Sequence, residues 1–225
     1  FQAAAGYLET SRDLKENPST ALRLSYYYTQ GGFYDKAISL LEEVHKKWPE
    51  NLEVAYFLAL GYDDLRKTDA SMALLKAILA KDPDHAEARL QYAIMSEREG
   101  DIAASEENFR YLLVKDPDNA NILNYLGYAL ADRGLKLAEA EELIARAVKL
   151  SPANGAYLDS LAWVHYKQGK YQAALEEIKA ALKLINDDAI LWDHEGDIYA
   201  ALSDWKAAWR AYSIALRLSP QDKKK

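Results

Sequence analysis

The chain has 225 residues, no cysteine, a formal net charge of −7 and a pI near 5.2. The missing cysteines exclude disulfides and thiolate metal sites without fixing a redox compartment, and the acidic balance argues against a nucleic-acid footprint. No apolar stretch approaches the roughly 20 residues that span a bilayer.

Half of the residues are apolar, with 10 glycines and 6 prolines. That is the makeup of an all-helical repeat array. The first segment, 1–17, begins at Phe1 without a Met or a signal sequence. Residues 2–15 read as a helix whose Ala3, Tyr7 and Thr10 fall in phase with the later second helices, as the remnant of an upstream repeat would. From there one spacing governs the chain. Pro49, Pro83, Pro117, Pro152 and Pro220 are separated by 34, 34, 35 and twice 34 residues, and Asn186 fills the remaining slot. A period of this length means stacked helix-turn-helix units, none of which can bury its apolar face alone.

Six repeats are expected, at 18–51, 52–85, 86–119, 120–154, 155–188 and 189–220, followed by a charged tail at 221–225. The pattern predicts first helices over 18–30, 52–65, 86–99, 120–133, 155–168 and 189–202. It predicts second helices over 34–47, 68–81, 102–115, 136–150, 171–184 and 205–218. Gly32, Gly100, Gly134 and Gly169 hold the turn slot, where a left-handed residue closes the first helix. Arg66 and Ser203 hold it elsewhere, so those turns should be less ideal.

Small residues recur where helix axes must approach: Ser25, Ala59, Ala93, Gly127, Ala162 and Gly196 in first helices, and Ala37, Ser71, Ser105, Ala140, Ala174 and Ala208 in second helices. Large residues fill the spaces between them: Leu24, Leu58, Tyr92, Leu126 and Leu161, then Leu41, Leu75, Phe109, Ile144, Ile178 and Tyr212. Small beside large is what close helix packing requires.

On these columns the chain resembles the tetratricopeptide repeat family over residues 18–220, which implies an all-α, right-handed superhelical solenoid used to hold other proteins. It departs from the family pattern at Glu195 in the large apolar column, at Asn186 in place of Pro, and by one extra turn residue near Leu135–Ala138. The stretches Leu123–Asp132, Tyr157–Val164 and Asp193–Asp197 resemble a group of bacterial envelope members of the family. Some of that group are outer-membrane lipoproteins acting as adaptors, including one that activates a carboxyl-terminal processing protease. This resemblance implies a bacterial source, a periplasmic or outer-membrane-anchored setting, and an adaptor role.

Catalytic chemistry is not legible. His45, His85, His165 and His194 form no spaced metal-binding pair. His165, in a column rich in Tyr, is expected to be partly buried. Ser160 and His165 would lie about 140° apart around a helix axis, too far for a hydrogen bond. Asp63–Asp64 and Glu141–Glu142 diverge as adjacent helix residues do, and Gly31–Gly32 is an inter-helix turn rather than a phosphate cradle. No cofactor is implied, and the chain reads as non-enzymatic.

Four columns of the first helices are expected to line the concave face of such an array. Over six repeats they hold seven acids (Glu53, Asp63, Glu87, Glu97, Asp159, Asp193, Asp197) and no Lys or Arg. Between these run Leu22, Tyr26, Tyr56, Leu60, Leu90, Ile94, Tyr128, Trp163 and Tyr166. The candidate partner-binding set is Tyr26, Tyr56, Leu60, Asp63, Leu90, Ile94, Asn124, Tyr128, Asp159, Trp163 and Tyr166. Chaperone-adaptor members of the family grip a terminal carboxylate with Lys, Arg and Asn. Asn121 and Asn124 are present here but the cations are not, so the expected partner is a protein segment, apolar or basic; the resemblance to envelope adaptors implies that it belongs to a protease or an assembly factor. Weak self-association through the array ends, where Trp205 and Trp209 lie, is also expected. The alternatives are a cytoplasmic regulatory or secretion-chaperone module, and the repeat arm of a larger enzyme.

Overall fold

The computed structural model describes Gly6 and residues 17–219. The expected opening helix, Pro220 and the tail 221–225 lie outside the described residues. Among the described residues twelve helices follow one another with no strand: α1 (Pro18–Gln30), α2 (Tyr34–Lys47), α3 (Leu52–Asp64), α4 (Thr68–Lys81), α5 (Ala86–Arg98), α6 (Ile102–Lys115), α7 (Ala120–Asp132), α8 (Leu137–Leu150), α9 (Gly155–Lys167), α10 (Tyr171–Leu184), α11 (Ala189–Ala201) and α12 (Trp205–Leu218). Each bound falls within one residue of the sequence expectation.

The chain forms two compact units, Phe1–Asn108 and Phe109–Lys225. In the first, Leu22, Ile38, Leu41, Val54 and Leu58 make one buried cluster, and Ala55, Leu75, Ile78 and Met95 another. In the second, Ala162, Leu175, Ile178, Leu191 and Ile198 pack together. The small-residue columns are buried throughout. Ser71 and Ala59 meet closely enough for the serine hydroxyl to donate to the Ala59 carbonyl at 2.7 Å.

Local chemistry sets the boundaries. Odd-numbered helices start where a side chain at the N-cap accepts from the first turn: Asn17, Asn51, His85, Asn119, Asn154 and Asp188. Odd helices end in a left-handed residue. Gly100 takes φ 84° there at little cost, whereas Arg66 and Ser203 are held at 59° and 62°. The extra residue of the fourth repeat is absorbed by Lys136, which adopts φ 46° just before α8. Glu195 occupies its apolar column at 8% exposure. Burial pushes its carboxyl up, while Lys179 and Arg210 pull it back.

Candidate functional site

In the first unit the α1 and α3 columns open onto a cavity of about 600 Å³. Its apolar wall includes Leu22, Tyr26, Ile38, Leu41, Phe57 and Leu60, and its charged groups are Arg23, Glu53 and Asp64. Tyr26 is 56% exposed and Phe57 43%. Tyr56, Leu60, Leu90 and Ile94 are half-buried. The Tyr56 ring meets Phe57 edge-on at 5.7 Å, and burial, with Glu87 adding to it, raises the Tyr56 hydroxyl pKa. Phe57 and Arg23, one position beyond the expected columns, were not singled out from the sequence. The signal that could have found Phe57 is an aromatic residue directly beside Tyr56 with no place in the core columns.

The structure corrects the expectation of a cation-free surface. Asp63 is bound by the Arg98 guanidinium and accepts from Gln91 Nε2 at 3.1 Å, both from α5. In the second unit the Lys167 ammonium lies 4.7 Å from the Trp163 ring centroid and donates to the Asp132 carbonyl at 2.9 Å. These long side chains start from a neighbouring column and reach across.

Exposure of Trp163 and Asp159 is a second correction. They are 8% and 6% exposed, because the next first helix covers them. His194 of α11 brings Nδ1 to 2.8 Å from Asp159 Oδ1 and stacks on Trp163 at 4.1 Å. Tyr166 stacks on the indole at 4.9 Å, and Trp163 Nε1 donates to Asp132 Oδ1 at 3.1 Å. Tyr128, Tyr166 and Asn124 stay half-buried. The columns therefore run along the seam between successive first helices, and within this unit they split into covered and open positions.

His165 is 9% exposed and lies between two carboxylates, 2.7 Å from Glu177 and 3.2 Å from Glu141. Hydrogen bonds from Gln168 and Lys170 hold the Glu141 carboxyl down at about 2, while burial pushes Glu177 up. Ser160 donates to the Ala156 carbonyl within its own helix at 3.0 Å, so the serine and histidine serve the packing of the unit. Among the described residues no group of three or more His, Cys, Asp or Glu could hold a metal ion. No described helix is long and apolar enough to cross a membrane.

Profiles of the tetratricopeptide repeat match residues 28–91, 97–155 and 160–223. The chain belongs to the tetratricopeptide repeat family, as an all-α repeat solenoid. A curated TPR repeat-containing protein of Pseudomonas aeruginosa is 45% identical over 71 residues, 32% of this chain and 12% of that relative's length. PilW, described as a widely conserved type IV pilus biogenesis factor, superposes with TM-score 0.77 at 21% identity, covering 94% of this chain and 96% of its own. A tetratricopeptide repeat protein from Parabacteroides merdae gives 0.75 at 15% identity, covering 89% and 78%. PilF of Pseudomonas aeruginosa gives 0.62 at 23% identity, covering 75% and 77%.

Proposed function

We propose that this protein is a non-enzymatic adaptor of the bacterial cell envelope, periplasmic or held at the outer membrane, which holds a segment of another protein in the cavity of its first unit. One observation carries the reading: an open, mainly apolar cavity of about 600 Å³ with Tyr26 and Phe57 presented at its edge. Exposed aromatic residues around a concavity are the usual anchors of a protein interface. Glu53 and Asp64 outnumber Arg23 there, which favours a segment combining apolar side chains with Lys or Arg. Tyr56, Leu60, Leu90 and Ile94 extend the surface in this unit. Asn124, Tyr128 and Tyr166 offer a secondary contact in the other, and Trp163 and Asp159 act only by shaping it. The repeat-only match supports the absence of catalysis. The likeness to PilW, a pilus biogenesis factor, and to PilF supports an envelope setting; the partner proposed is an assembly factor or a protease.

The 12% share of the curated relative favours a second reading, the repeat arm of a longer protein.

A photocrosslinking amino acid at Phe57, with one at Val114 as an exposed control, tests the first reading in cells of the source organism. The expected result is an adduct from position 57 alone, mapping to an apolar, basic segment of an envelope protein. Equal adducts from both positions, or an adduct from Val114 alone, would contradict it.

A further inference from the structure

In the second unit α11 packs against both α10 and α12, and with α12 it encloses a cavity of about 410 Å³ lined by Trp192, Glu195, Tyr199, Lys206, Arg210 and Ala211. One period of 34 residues earlier the same place is crossed by charged side chains. His165 stands at the position of Tyr199 and Glu177 at that of Ala211. Glu177 lies 2.7 Å from His165, and Glu141 of α8 lies 3.2 Å from it. The short Ala211 leaves the space open. Gln172 and Glu176 precede Lys206 and Arg210 by one period and are exposed although a whole repeat follows them. The mouth of the cavity therefore stays open whatever follows α12.

Glu195 is the member that breaks the pattern. Leu or Tyr stands at its position in every other repeat, and at 8% exposure it is more than nine-tenths buried. Among the described residues no hydrogen bond or ion pair engages its carboxylate. Lys179 and Arg210 act on it only through space, against the burial that raises its pKa. A buried carboxylate without a partner costs stability, and a packing rule broken with no compensation inside the fold points to a functional position. Beside it the Trp192 indole is fixed by its Nε1, which donates to the Asn186 carbonyl at 2.9 Å. The Tyr199 ring already takes the Lys179 ammonium at 5.4 Å. Asp204 is engaged as the N-cap of α12, where it accepts from Ala207 N at 3.1 Å, which leaves Glu195 as the free carboxylate of the cavity.

We infer that this cavity receives an arginine side chain from a segment of a partner protein, its guanidinium set on Glu195 and stacked on Trp192, with acidic residues beside that arginine paired to Lys206 and Arg210. A guanidinium is flat and weakly hydrated, holds both oxygens of a carboxylate, and lies on an aromatic face, which an ammonium matches only in charge. Lys206 and Arg210 decide between a free cation and a protein segment. Both are exposed, and neither makes an ion pair among the described residues. They repel a bare cation and attract an arginine that has Asp or Glu beside it. The site shares no residue with the cavity of the first unit, so failure of either proposal leaves the other standing.

The probe is a short peptide of alanines around one arginine with an aspartate on either side. It is titrated into the whole chain while the indole N–H of Trp192, assigned with Trp192→Phe, is followed by NMR, which reads binding up to millimolar peptide. Saturable movement of that signal is expected. Citrulline in place of the arginine keeps the shape without the charge and should weaken binding about tenfold or more. Lysines in place of the aspartates should weaken it several-fold. In the protein, Glu195→Gln should weaken binding about tenfold. Glu195→Leu should abolish binding while raising the melting temperature, which separates lost recognition from lost folding. Equal affinity for the arginine and citrulline peptides, or of wild type and Glu195→Gln, would overturn the proposal, as would a Trp192 signal that does not move at millimolar peptide. Acetyl-arginine amide bound as tightly as the peptide would overturn it as well, by giving the site to a free guanidinium instead of a protein segment.

Discussion

Gly127 of α7 and Ile144 of α8 meet with no space between them: a Cβ on Gly127 would lie 2.5 Å from Ile144 Cγ1 and 3.0 Å from the Ala140 carbonyl oxygen. Exchanging a mid-helix glycine for alanine ordinarily gains about 1 kcal/mol. Here the methyl would force the two helices apart, at about 1–3 kcal/mol. Gly127→Ala is therefore expected to lower stability in denaturant unfolding. A higher melting temperature would show slack between the helices. Gly196 stands in the same relation to Tyr212, whose ring would be 2.4 Å from an added Cβ.

Arg66 is held at φ 59° where other repeats place glycine. A non-glycine residue in the left-handed region costs about 1 kcal/mol or more, part of which glycine returns through the entropy of the unfolded chain. Arg66→Gly should raise stability by roughly 0.5 kcal/mol, read as a small rise in melting temperature. A fall would mean that the arginine side chain contributes more than its backbone strain costs.

Glu195 is buried in a column of Leu and Tyr, and burial raises its carboxyl pKa. A carboxyl raised on folding is tolerated best when protonated, so its penalty grows as pH rises above the ordinary carboxyl range and is complete once pH passes the folded value. Glu195→Leu should stabilise the protein by about 1–2 kcal/mol at pH 7, and the gain should shrink as the pH is lowered toward 4. A gain independent of pH would assign the effect to packing alone.

Trp163 belongs to the fold. Buried between His194 and Tyr166, it should cost about 3–5 kcal/mol of stability when changed to alanine. Tyr26→Ala, at an exposed ring, should leave the melting temperature nearly unchanged. Similar melting curves for the two variants would contradict the burial that separates them.

The contrast between Trp163 and Tyr26 marks the limit of what was legible in the sequence. Both fall in one column at helical spacing, and spacing fixes the phase of a side chain around its own axis. It does not say what a neighbouring helix brings: His194 covers Trp163, and among the described residues nothing comparable covers Tyr26, which is 56% exposed. The charge balance escaped for the same reason, since Arg98 and Lys167 start outside the expected columns and reach in along long stems. The helices and their small-residue crossings were legible because each repeat states them again. At Ala140 and Ala174 any larger side chain meets a partner axis. Phe57 stayed hidden because its column holds Arg23, Gln91, Tyr125, Ser160 and His194 in the other repeats, so no repeated residue type marks the position.

Titration of a labelled peptide against the whole chain tests the cavity most directly. Two peptides of about 12 residues serve, one of Leu and Lys and one of Leu and Glu, long enough to lie in a groove of this size. The account predicts saturable binding of the basic peptide, at least about tenfold weaker binding of the acidic one, and a similar loss in Phe57→Ala with an unchanged melting temperature. Equal affinity of wild type and Phe57→Ala for the basic peptide, or a preference for the acidic peptide, would contradict it.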